Sequence, residues 1–171
     1  MDVSTAPPPR DPPRAPQLDD YASVIGFPEL AELRQLAQAH GGRNVTMVNS
    51  TATGGGVAEI LNRLVPLMQE LGVPIRWEVM KGGEDFFAIT KAFHNGLHGL
   101  PFEVRQEWFD RFLQVTEQNR AAIALDDEYV VIHDPQPVAL VQARDGLRNH
   151  WVWRCHIDLS RPNLALWNFL R

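Results

Sequence analysis

Residues 48–71 read VNSTATGGGVAEILNRLVPLMQEL. The stretch leaves an apolar strand, crosses Gly54, Gly55 and Gly56, and continues as a helix. Val57, Ile60, Leu61, Leu64, Val65, Met68 and Leu71 fall on one stripe of that helix, the pattern of an element that buries one face. Pro66 sits inside it and predicts a kink, because proline has no N–H to give the preceding turn. Whether this strand–glycine–helix unit stands alone or is repeated decides the fold.

It is repeated. Upstream, Pro28 to Ala39 carries Leu30, Leu33, Leu36 and Ala37 at helical spacing, with Gly41 and Gly42 as a stop, and RNVTMVN (43–49) reads as the strand itself. Downstream, VPIRWEVMK (73–81) is a second strand ending in Gly82-Gly83. Two helices follow, Glu84 to Leu97 and Phe102 to about Leu125, the latter with Val104, Trp108, Phe112 and Val115 on one face. EYVVI (128–132) is a third strand cut off by His133-Asp134-Pro135, and Pro137 to Ala143 a short helix. HWVWRC (150–155) is a fourth strand, and RPNLALWNFLR (161–171) begins a last helix. Strands alternating with helices predict an α/β, Rossmann-like three-layer domain with a mostly parallel sheet and helices on both faces. The domain is expected over 21–171. Residues 1–20 hold six prolines, Pro7, Pro8, Pro9, Pro12, Pro13 and Pro16, and read as a disordered or extended tail.

Composition narrows the function classes. A chain of 171 residues suits one domain with a real core. Net charge is −5 with no basic run, which argues against nucleic acid as a partner. The single cysteine, Cys155, cannot form an internal disulfide, and its place inside a strand predicts a buried, inert thiol. No stretch approaches the roughly 18 apolar residues of a membrane span, and the start lacks the apolar core of a signal peptide. The expectation is a cytoplasmic protein without a membrane partner.

Ligands of parallel α/β sheets bind outside the carboxyl ends of the strands. The unusual loops here each follow a strand: Gly54-Gly55-Gly56, Lys81-Gly82-Gly83, His133-Asp134, and His156-Ile157-Asp158. Parallel strands would bring all four to one edge. The triple glycine permits positive φ and close approach, and the helix behind it aims free N–H groups at an anion. A plain strand-to-helix turn is the alternative, since the pattern is neither G-x-G-x-x-G nor a Walker sequence. Lys81 stands where an NAD site needs a carboxylate, which disfavours NAD and tolerates NADP. His133 and Asp134 suit an acid–base pair, hydroxyl binding, or the cap of the next helix. His156 and Asp158 carry the same alternatives, with Asp158 or Ser160 as a cap for the last helix. Lys91, His94 and Asn95 stand where a helix passes over the crevice. His94 and His98 lie one turn apart without the glutamate of H-E-x-x-H, so no metal is expected. Trp151 and Trp153 alternate onto one strand face and read as core.

Taken together, VNSTATGGGVAEILNRLVPLMQELG, FFAITKAFHNGLHG, VVIHDPQPVAL and WRCHIDLSRPN closely resemble the glycosyltransferring trehalose synthases. These belong to family 4 of the retaining glycosyltransferases and are related to the retaining trehalose phosphorylases. The resemblance runs from about Leu18 to Arg171. It implies the N-terminal, acceptor-side half of a GT-B fold, incomplete at its C-terminus, and transfer of glucose from a nucleotide-diphosphate glucose to glucose with retention. By that resemblance Gly54, Gly55 and Gly56 face the donor diphosphate, and Asp134 and His156 are the catalytic pair around the reacting centre. His133, Lys91, Asn95 and Asp158 follow as sugar-binding residues, the last three by proximity alone. No cofactor is implied, and the leaving phosphate itself takes the acceptor's proton.

The family continues past the position of Arg171 into a second, donor-binding domain, which this sequence does not contain. Two readings follow: the acceptor-side domain of a trehalose synthase or phosphorylase, inactive without its donor half, or a stand-alone sugar-binding module. An uncovered sheet edge predicts self-association into a homo-oligomer.

Overall fold

The computed structural model describes residues 17–171. A 3-10 turn (Leu18–Tyr21) leads into α1 (Ala22–Ile25) and α2 (Phe27–His40). Then come β1 (Val45–Asn49), α3 (Gly56–Glu70), β2 (Ile75–Val79), α4 (Glu84–Leu97) and α5 (Gln106–Arg120). β3 (Tyr129–His133), a 3-10 turn (Val138–Arg144), β4 (His150–Arg154) and α6 (Leu164–Leu170) complete the chain.

The four strands form one sheet in the order β2-β1-β3-β4, and every pair is parallel. The α/β, Rossmann-like expectation therefore holds. β2 lies on one side of β1 and β3 on the other, so the chain reverses its direction of winding there. The crevice above the carboxyl ends of β1 and β3 is where such sheets take ligands.

Side chains alternate across the sheet with period two. Val45 and Met47 of β1 pack on one face with Leu61 and Val65 of α3, and with Val73 and Ile75. Val48, Val130 and Ile132 point to the other face. There they meet Phe86, Phe93 and Leu97 of α4, Phe109, Phe112 and Val115 of α5, and Leu166 of α6. Trp151 and Trp153 pack half-buried against this larger cluster, which agrees with their reading as core. The opposite face of β4 is bare: His150, Val152 and Arg154 are exposed, Val152 to 48%.

Several expected boundaries shift. α5 starts at Gln106 rather than Phe102, because Phe102 is used from the preceding loop to pack on Phe93, their ring centroids 5.7 Å apart. It ends at Arg120, where the Asn119 carbonyl accepts from both Ala122 and Ile123 and turns the chain back. The expected helix at 137–143 is a 3-10 turn one residue later. α3 runs through Pro66 without interruption. Of the expected tail, residues 1–16 lie outside the described residues, while Leu18 already belongs to the folded domain, buried with its N–H donating to Glu70 (2.7 Å).

Candidate functional site

Because all strands are parallel, the four loops singled out above lie at one edge of the sheet. The loops after β1 and β3, but not those after β2 and β4, line a crevice of about 230 Å³ over the ends of those two strands. One wall is Asn49, Ser50, Thr51 and the glycines running into α3; the other is His133, Asp134 and Gln136, with His94 of α4.

The glycine wall is shaped by backbone conformation. Gly54 (φ 72°) and Gly55 (φ 90°) occupy the left-handed region, while a side chain at either would meet nothing within 4 Å. Conformation, not crowding, calls for glycine there. No side chain caps α3, which leaves its first-turn N–H groups at the crevice as donors. The loop is held from both ends. Asn49 Nδ2 donates to the Thr51 carbonyl (2.7 Å) and Asn62 Nδ2 to that of Ala52 (3.2 Å). Trp77 Nε1 fixes Asn49 in turn by donating to its Oδ1 (2.7 Å).

The opposite wall follows from strand register. His133 pairs with Arg154 and projects from the same face of β3 as Tyr129 and Val131, the face covered by α3. It is only 3% exposed, and its Nδ1 lies 3.0 Å from Nε2 of His156, the two rings stacked. Burial above all, then the neighbouring His156 and Arg154, push its pKa down to about 4, so the ring is neutral at pH 7. Its Nε2 is buried without a hydrogen-bond partner, and so is Oε1 of Gln136.

Asp134 is the one non-glycine residue with positive φ (65°) among the described residues. Three hydrogen bonds hold that conformation. Its N–H donates to the Arg154 carbonyl (3.0 Å), its carbonyl accepts from Trp153 Nε1 (2.9 Å), and Oδ1 accepts from the His156 N–H (2.7 Å). One aspartate thus ties the ends of β3 and β4 together.

The other sequence candidates fall as follows. His156 is half-buried and meets the crevice through His133 rather than lining it. On α4, His94 lines the crevice, whereas exposed Lys91 and half-buried Asn95 do not. Burial and the neighbouring His98 lower the His94 pKa, partly opposed by Asp134. The His94 and His98 ring centroids are 5.0 Å apart, and among the described residues no third candidate ligand joins them. Asp158 is exposed and does not line the crevice; it accepts from the N–H (2.9 Å) and hydroxyl (3.0 Å) of Ser160, which hold its carboxyl below the usual range. The cap of α6 is instead Asn163, whose Oδ1 accepts from Ala165 and Leu166. Cys155 is half-buried, and burial pushes its thiol up. Sequence reasoning missed Asn49 and Gln136 as residues lining the crevice, and the bond by which the core residue Trp153 holds the Asp134 carbonyl. Gln136 had a signal: it lies two residues beyond Asp134 in the same strand-end loop, between Pro135 and Pro137.

The family model described as "Trehalose synthase, N-terminal domain" matches residues 47–171. The chain belongs to this trehalose synthase family. It is 45% identical over 157 residues to a trehalose synthase of Pyrococcus horikoshii, and 41% identical over 160 residues to one of Rubrobacter xylanophilus. These alignments cover 91% and 90% of this chain but only 38% of each relative, so the chain spans about two fifths of their length. A trehalose phosphorylase of Pleurotus pulmonarius is a more distant relative, 26% identical over 176 residues, or 90% of this chain and 24% of that protein. Both walls of the crevice lie within the matched segment.

Proposed function

We propose that this chain is the acceptor-side domain of a retaining, GT-B glycosyltransferase that makes trehalose from a nucleotide-diphosphate glucose and glucose. One observation carries the reading: an uncapped helix start faces, across one crevice, a wall of half-buried Asp134 and buried His133, whose Nε2 is unpaired. The first is suited to a diphosphate, the second to sugar hydroxyls. Higher identity to synthases than to the phosphorylase favours the synthase activity within the family.

In this mechanism the chain supplies position and charge stabilisation rather than a nucleophile. First-turn N–H groups of α3, reached past Gly54, Gly55 and Gly56, face negative charge as it grows on the departing diphosphate. Asp134 accepts from a sugar hydroxyl while its second bond fixes the backbone that carries His156. His156, held by His133 beside the crevice, acts on the glucose at the reacting carbon through that contact. The acceptor hydroxyl gives its proton to the leaving phosphate. Remaining donor contacts, including those to the base, belong to a second domain outside this chain. Lys91, Asn95 and Asp158 would act at the periphery, once that domain closes the crevice.

Ligand-observed NMR tests the assignment on the chain as it stands, with glucose, trehalose and a nucleotide-diphosphate glucose. Weak binding of glucose or trehalose is expected, falling at least about tenfold in both Asp134→Asn and His156→Ala. Binding that survives undiminished in both variants would sink the proposed roles.

A further inference from the structure

Gln136 has no role in the reading above, yet its backbone is held on both sides. It stands between Pro135 and Pro137, both buried, so the ring behind it fixes φ and the ring ahead restricts its own backbone. The Pro135 carbonyl accepts from Val138 (3.2 Å) and the Pro137 carbonyl from Leu140 (2.9 Å), which locks the turn on both sides. From this turn Gln136 lines the crevice, and its amide oxygen is buried without a hydrogen-bond partner. The only other buried side-chain polar atom left unpaired among the described residues is Nε2 of His133, on the same wall.

An amide oxygen can only accept. A phosphate, itself an acceptor, would be repelled there, whereas a sugar hydroxyl supplies the missing proton. The His133 nitrogen can serve in either sense. When its Nδ1 accepts from His156, Nε2 carries the proton and donates; when Nδ1 donates, Nε2 accepts. Hydroxyls donate and accept, so they satisfy this wall in both arrangements. The crevice is therefore divided by chemistry: donors on the glycine side, an acceptor and an adaptable nitrogen on the other.

We infer that Gln136 is a specificity-determining residue, whose amide oxygen accepts from one hydroxyl of the bound sugar and so selects against sugars lacking that hydroxyl. The inference rests on the hydroxyl-binding reading of this wall. It goes further by assigning discrimination to a side chain outside the His–Asp pair.

The test uses the full chain, saturation-transfer NMR and isothermal titration, with glucose and each of its monodeoxy analogues as probes. In the unmodified chain one analogue should bind about tenfold more weakly than glucose through loss of this contact. In Gln136→Leu glucose itself should weaken about tenfold, and that analogue should bind the variant no worse than glucose does. Gln136→Met, which keeps the unbranched shape of the side chain, should behave the same way, and an unchanged amide spectrum would show that the fold is intact. If glucose binds both variants as tightly as the unmodified chain, or every analogue keeps its full penalty in them, the inference about Gln136 is overturned while the sugar site stands. If the unmodified chain binds none of the sugars, the hydroxyl-binding reading fails, and the assignment of Gln136 with it.

Discussion

His133 shows how much one register position can decide. It ends β3, so its side chain must fall on the α3 face, where the His156 ring and the crevice floor already enclose it. A histidine kept neutral there lowers stability in acid. The unfolded chain binds a proton near pH 6.5 and the folded one only near pH 4, so folding free energy should fall as pH drops through that window, by on the order of 3 kcal/mol. Urea titrations between pH 7 and 4 should show this slope, shallower in His133→Asn; an equal slope in both would show that other groups carry it. The His-Asp pair itself was legible in the sequence, because two such residues close a strand that a proline terminates. That Asp134 would take a left-handed conformation was not legible. It depends on an acceptor on β4 and an indole from the same strand, and neither partner can be paired with residue 134 without knowing the strand order.

At the scale of elements, periodicity located the four strands and the longer helices, missed α1 and the turn before it, and misjudged where some elements stop. α3 was readable because its apolar stripe and the glycines before it belong to the same local signal. α5 was overextended at both ends, because Phe102 continues an aromatic pattern that serves packing rather than helix. Close approach between elements leaves a sharper trace. Gly99, just past α4, has φ 89°, and a side chain there would meet the Arg161 carbonyl oxygen at 2.6 Å. The loop after β4 thus runs against the end of α4, and the Asn163 N–H donates to the Gly96 carbonyl (2.9 Å). Gly99→Ala should therefore cost about 2–3 kcal/mol, from left-handed strain plus displacement of a backbone. Thermal unfolding will read this as a lowered melting temperature, whereas an unchanged one would mean that the loop moves aside freely.

On the scale of the whole molecule, alternation of strands and helices was enough to predict a parallel sheet, and parallel strands were enough to predict one functional edge. Strand order was not accessible, since nothing local says on which side of β1 the third strand will lie. The sheet leaves β4 paired only with β3 and bare on one face. Self-association at high concentration is the expected result, and Val152→Lys on that face should suppress it in light scattering. A monomer at every concentration, without the substitution, would contradict the expectation. The two layers on either side of the sheet are also unequal. Among the described residues, sixteen buried side chains form the cluster beneath α4, α5 and α6, against six beneath α3. Amide protons of α3 should then exchange with solvent sooner than those of α4 and α5, because less apolar area has to be exposed to release them. The crevice spans this divide, one wall carried by the thinner layer and the other by the strand ends. An anion settling against the start of α3 would therefore act as a fastener for the more loosely held half, and its occupancy could be followed as slowed exchange far down that helix.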